Sequence, residues 1–198
     1  MTDAPRVIRD EPFEVEITSS QVLLDGKIQS FARETFLYNG AEITRDFILH
    51  PGAVAVVALD DEDRVATIRQ YRHPIRSRDW EIPAGLLDVA GEDMLDAAKR
   101  ELAEEVDLAA TDWSLLTHFA MSPGGSNEFA RIYLARGLSA TETFAREEEE
   151  ADIEFEWVPL DDLVAAIAAG DVHNSILIVG VLAAFAARAS GWSTLRPE

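Results

Sequence analysis

The chain has 198 residues, 47% of them hydrophobic, which is enough apolar material for one well-packed core with a small appendage. Its 37 acidic residues against 17 basic ones leave a formal charge of −20; that field repels polyanions, and with no basic stripe to interrupt it nucleic acid is excluded as a main partner. The lack of cysteine removes disulfides, thiolate metal ligands and a Cys nucleophile.

The start of the chain, MTDAPRVIRDEPFEVE, mixes charges of both signs and holds no apolar run of signal-peptide length, so a cytoplasmic protein is expected. The most hydrophobic stretch, 176–187, falls well short of the ~20 residues that cross a bilayer, and no membrane partner is expected. Residues 1–49 read as a small antiparallel β meander, with FEVEI at 13–17 alternating and later strand-forming runs separated by Asp25-Gly26 and Asn39-Gly40. Both dipeptides are two-residue hairpin signals. At His50-Pro51-Gly52 a second block begins, taken as the core domain over 50–190 with a C-terminal tail at 191–198. AVAVVAL at 53–59 has the continuous apolar pattern of a buried strand, and RVATIRQYR follows after an acidic turn.

WEIPAG at 80–85 leads to GEDMLDAAKRELAEEV at 91–106, a helix whose Leu95, Ala98 and Leu102 face inward. Strands are expected near 113–120, 129–135 and 153–158. A helix is predicted at about 160–169, and another is expected to begin after His173-Asn174-Ser175, capped by Asn or Ser, and to end near Arg188. Strands early and mid-chain with helices inserted late predict an α+β fold.

Within the helix at 91–106, Glu101, Glu104 and Glu105 crowd one turn, although like charges at i,i+4 weaken a helix by ~0.2–0.5 kcal/mol. One reading is an ordinary solvated stripe: Glu92 and Asp93 suit the positive end of the helix, and Arg100 pairs with Asp96 and Glu104. The other is a platform of oxygen ligands for hard cations, with Arg100 holding the carboxylates in place.

The surrounding text favours the second reading. GLLDVAGEDMLDAAKRELAEEVDL resembles the Nudix box: Glu92, seven intervening residues, then Arg100, Glu101, Leu102, Glu104, Glu105 and Leu108 match in order and spacing. Two positions depart from the pattern. Gly85 precedes Glu92 by one residue too many, which Gly91 is expected to absorb, and Asp107 stands where the pattern has glycine, at a cost of ~1 kcal/mol in left-handed backbone. QYRHP, WEIPAGLLD, SPGGSNE and the acidic loop before ADIEFEWVPLDDL are similar to the ADP-ribose pyrophosphatase branch of Nudix hydrolases, most of all its actinobacterial members, over about residues 45–187.

That resemblance implies a Nudix α/β/α sandwich with a mixed sheet, preceded by a small antiparallel β domain that is exchanged across a homodimer. It implies a nucleoside diphosphate substrate, ADP-ribose cleaved to AMP and ribose 5-phosphate, and Mg²⁺ with Mn²⁺ as a substitute. Its metal ligands map to Glu101, Glu105, Glu104 and the Ala84 carbonyl, with Arg100 supporting them. Alignment on ADI at 151–153 puts the general base at Glu149, with Glu150 and Glu148 as neighbouring registers. Substrate contacts are expected from Arg72, Glu128 and the Gly124 turn, with Trp80 or Phe31 stacking on adenine. Against these stand plainer roles: a strand-edge ion pair for Arg72, a solvated carboxylate for Glu128, and core or interface packing for the two aromatics. Another nucleotide sugar or dinucleotide, or a non-catalytic nucleotide-binding module, are the alternatives.

Overall fold

Asn39 and Gly40 take φ of 51° and 79°, the left-handed pair that a two-residue type I′ turn requires, and so join β2 (Ser30–Tyr38) to β3 (Ala41–Leu49) in tight register. The computed structural model describes residues 8–143 and 152–197, and the chain divides into two units, Met1–Leu49 and His50–Glu198. The first unit is one antiparallel sheet in which β1 (Glu16–Asp25) precedes β2 and β3 in that order. Its first connection differs from the expected two-residue turn. Asp25 pairs with Ser30, so residues 26–29 form the loop, and the Gln29 carbonyl lies 2.4 Å from where a Cβ on Gly26 would be. The glycine serves a close backbone approach there, and β1 starts three residues later than the FEVEI alternation predicts.

The second unit is built around β4 (Ala53–Ala58), every residue of which is buried. Side chains alternate across a strand, so Ala55 and Val57 face one layer while Val54, Val56 and Ala58 face the other. β5 (Arg64–Arg72) and β6 (Ser77–Glu81) form an antiparallel hairpin, and β7 (Ala84–Leu86) returns to pair antiparallel with β4. α1 (Met94–Val106) packs Ala98 and Leu102 against the Val54–Ala58 side. β8 (Leu108–Ala120) and β9 (Phe129–Ala140) follow, β9 lying parallel to β4 and antiparallel to β8. β10 (Glu154–Pro159) joins β5 and β6 in a second sheet. α2 (Leu160–Ala169) and α3 (Ser175–Ala189) cover the opposite side, where Leu160, Leu163, Leu177 and Val181 meet Ala55 and Val57.

The result is the expected α+β sandwich, with a mixed five-stranded sheet between helices in the second unit and an antiparallel β unit before it. Asn174 caps α3 by accepting from the Leu177 N–H at 3.0 Å, as its position predicts. Beyond α3 the chain does not trail away: Trp192 and Leu195 pack on the core, and β11 (Arg196–Pro197) pairs with β8. Among the described residues no helix is long and apolar enough to cross a membrane.

Candidate active site

Asp93 opens α1 by accepting from the Leu95 N–H at 2.8 Å, which places Glu92 just outside the helix. Gly91, at φ 83°, turns the chain there, and the Glu92 N–H reaches back to the Val89 carbonyl at 3.2 Å. The extra residue between Gly85 and Glu92 is therefore taken up by a glycine turn, and Glu92 still arrives at Arg100. At the far end Asp107 does occupy the left-handed region, at φ 56° and ψ 38°, and its N–H caps the Ala103 carbonyl at 3.0 Å.

Arg100 organises the carboxylates of this helix. Its Nε and Nη2 each donate to Glu92 at 3.0 Å, while Nη1 donates to Glu101 at 2.6 Å and to Glu104 at 3.0 Å. The hydrogen bonds with Glu92 chiefly hold the Arg100 guanidinium above its ordinary range, against the opposing effect of burial, and hold the Glu92 carboxyl below its own. Glu101 and Glu105 are buried, while Glu104 is the more exposed member. Two features seat the buried pair against β7. The Ala84 N–H donates to Glu105 at 2.9 Å, and the carboxyl of Glu101 fills the place a side chain at Gly85 would take.

Carboxylates buried one turn apart are costly unless a cation or strong donors compensate them. The donors here are all oxygen, which suits a hard divalent cation and fits Glu101, Glu105 and the Ala84 carbonyl as holders of one. Among the described residues no three acidic or histidine side chains stand close enough to ring an ion, and Arg100 occupies oxygens of both Glu101 and Glu104. Glu149, Glu150 and Glu148, expected to supply the base, lie outside the described residues.

The substrate candidates lie on different elements. Arg72, at the end of β5, makes a two-point ion pair with Glu81, 2.7 Å at each contact, and the Gln70 amide also donates to Glu81 at 3.2 Å. Glu81 is buried, and reading the sequence missed it. Trp80 packs at the edge of the core with the Arg69 guanidinium 5.1 Å above its ring. Phe31 lies on β2 of the first unit, 41% exposed. Glu128 stands 3.7 Å from His50 Nδ1, and its N–H donates to Ser126 Oγ at 3.1 Å. Gly124 sits in the 122–126 turn with open space around it, so no close approach by the protein itself demands a glycine there.

A helix that presents buried carboxylates, clamped by one arginine and seated on a short strand, belongs to proteins that gather negative oxygen for cation-assisted phosphate chemistry. The chain belongs to the NUDIX domain family, whose model matches residues 49–177. It is 42% identical over 183 residues to an ADP-ribose pyrophosphatase of Mycobacterium tuberculosis, covering 92% of this chain and 88% of that protein. It is 32% identical over 170 residues to a methanol dehydrogenase activator of Bacillus methanolicus, covering 85% of this chain and 91% of that protein. A solved structure described as an ADP compounds hydrolase shares the fold, with a TM-score of 0.77 at 21% identity over 92% of this chain and 99% of that one.

Proposed function

We propose that this protein hydrolyses the pyrophosphate of ADP-ribose to AMP and ribose 5-phosphate, as a homodimer that uses Mg²⁺ with Mn²⁺ as a substitute. The observation that carries the reading is the buried Glu101 and Glu105 pair on α1. The 42% identical pyrophosphatase supports the choice of substrate. Glu101, Glu105 and the Ala84 carbonyl would hold a divalent cation, which would supply neutralisation of phosphate charge and a lowered pKa of the attacking water.

The chain's own residues supply the rest. Arg100 fixes the rotamers of Glu101 and Glu104 so that their oxygens stay on one face. The Ala84 N–H holds one oxygen of Glu105 and thereby orients the other. Glu149, or Glu150 or Glu148 if the register moves, takes the proton from the attacking water. Arg72 meets a phosphate or ribose oxygen while Glu81 anchors its guanidinium. Glu128 and the Gly124 turn meet the terminal ribose, and Trp80 or Phe31 stacks on the adenine. The β meander of residues 1–49 contributes to the dimer.

A second reading, hydrolysis of another nucleotide sugar or a dinucleotide, stands beside it because a 32% identical relative carries a different activity in its name. Purified protein with Mg²⁺ or Mn²⁺ and a panel of ADP-ribose, nucleotide sugars and dinucleotides separates the two. Fastest release of AMP and ribose 5-phosphate from ADP-ribose is expected. Preference for a dinucleotide would move the assignment to the second reading, and no product from any substrate would end both. Glu105→Gln should lose more than the ~10–100-fold that follows removal of an outer-shell partner, with folding intact.

A further inference from the structure

Apart from the carboxylate site, the second unit holds a cavity of about 320 Å³ at the entry to α1, large enough for a small organic ligand. Leu87, Met94 and Phe129 give it apolar walls, with Met94 39% and Phe129 56% exposed. Its polar side chains are those of His50, Asn127, His118 and Arg131. No Asp or Glu lines it, although the sequence carries 37 of them. Asp88 and Glu92 instead line a neighbouring hollow that shares the Pro51, Leu87 and Met94 wall.

Arg131 is the telling residue. It lies on β9 between Val54 of β4 and His118 of β8, so it is inside the sheet and half-buried. Elsewhere Arg33, Arg64, Arg72 and Arg100 are each held by a carboxylate within 3.0 Å. Among the described residues Arg131 has no such partner. The guanidinium of this half-buried residue opens to the cavity rather than to a carboxylate, so in a protein of charge −20 it presents a positive group to which a ligand anion can pair.

The neighbouring groups supply donors rather than acceptors. The Gly52 N–H donates to His50 Nδ1 at 3.1 Å, so the proton of the neutral ring sits on Nε2 and the 3.7 Å approach of Glu128 to Nδ1 is not a hydrogen bond. Asn127 Oδ1 accepts from the His50 N–H at 2.8 Å, which leaves its amide group as a donor.

We propose that this cavity binds a small organic anion, a phosphate monoester or carboxylate carried on an apolar ring. The anion pairs with Arg131 and takes hydrogen bonds from the His50, His118 and Asn127 donors, while the ring lies against Leu87, Met94 and Phe129. The assignment does not require the hydrolase activity, although His50 of the cavity stands 3.7 Å from Glu128, which the proposed function gives to the substrate.

Histidine ring resonances of the full-length protein, followed by NMR without added metal, test it directly. Four histidines are present, and His73 and His173 lie outside the cavity lining as internal controls. Phenyl phosphate, benzoate and inorganic phosphate are titrated separately. Phenyl phosphate or benzoate should shift His50 and His118 saturably, one per chain, and bind at least ~10-fold more tightly than inorganic phosphate because the ring is buried as well. The better of the two ring-bearing anions identifies the headgroup. Arg131→Gln should weaken that binding a further ~10-fold. Equal shifts of all four histidines, no saturation, equal affinity for inorganic phosphate, or an unchanged affinity in a folded Arg131→Gln variant would each overturn the proposal. The wild-type titration decides it if that variant does not fold.

Discussion

The carboxyl of Glu101 occupies the space where a side chain at residue 85 would begin: a Cβ built on Gly85 would lie 2.0 Å from both Glu101 Cδ and Glu101 Oε1. The glycine is therefore what lets α1 seat its carboxylate against β7. Glu101 cannot swing aside without cost, because Arg100 holds that same Oε1 at 2.6 Å. Gly85→Ala should cost ~1–3 kcal/mol through overpacking and displace the carboxylate from the metal face. Thermal denaturation and the Mg²⁺ dependence of hydrolysis read the two effects. Wild-type values for both would show that the seating is dispensable.

Arg100 should also shape stability against pH. Its hydrogen bonds hold the Glu92 carboxyl below the ordinary range, so the folded chain takes up that proton at lower pH than the unfolded chain does. The pair thus stabilises the fold above the unfolded carboxylate range and loses that contribution as the pH falls through the lowered value. Replacing Arg100 with Gln removes it, so the Tm difference between wild type and variant should be largest near pH 7 and narrow toward pH 3. A difference that stays constant across that range would mean Glu92 does not depend on Arg100.

Local signals were the legible part of this chain. Asn39-Gly40 specifies its own turn because both residues tolerate left-handed backbone, and Asn174 announces α3 because its side chain satisfies an N–H beside it. The spacing from Glu92 to Glu105 identifies the carboxylate helix, because a helical period fixes which side chains share a face. Other features depend on partners that spacing does not reveal. β8 extends to Leu108, well before the expected 113, and a register shift between Leu115 and Thr117 breaks the alternation that would have marked it. The guanidinium of Arg69 over the Trp80 ring is a cross-strand contact that the spacing of neither residue announces. Glu81 was one carboxylate among many, and its meaning comes from pairing across the β5–β6 hairpin.

That pairing leads to the last prediction. Glu81 has a side chain only 4% exposed and binds Arg72 through two 2.7 Å contacts, whereas Arg72 itself is 41% exposed at the strand end. A buried carboxylate thus holds a guanidinium whose outer part reaches solvent, the arrangement expected where arginine must meet an anion in a fixed orientation. Glu81→Gln keeps the shape but turns one acceptor into a donor facing Arg72, and should cost ~1–3 kcal/mol of stability. If Arg72 binds substrate, the same change should raise KM about tenfold, roughly 1.4 kcal/mol, with a smaller effect on kcat. A double-mutant cycle with Arg72→Gln separates positioning from folding: the KM effect of Glu81→Gln should vanish once Arg72 is gone. An equal KM effect in both backgrounds would show that Glu81 supports the strand rather than the arginine.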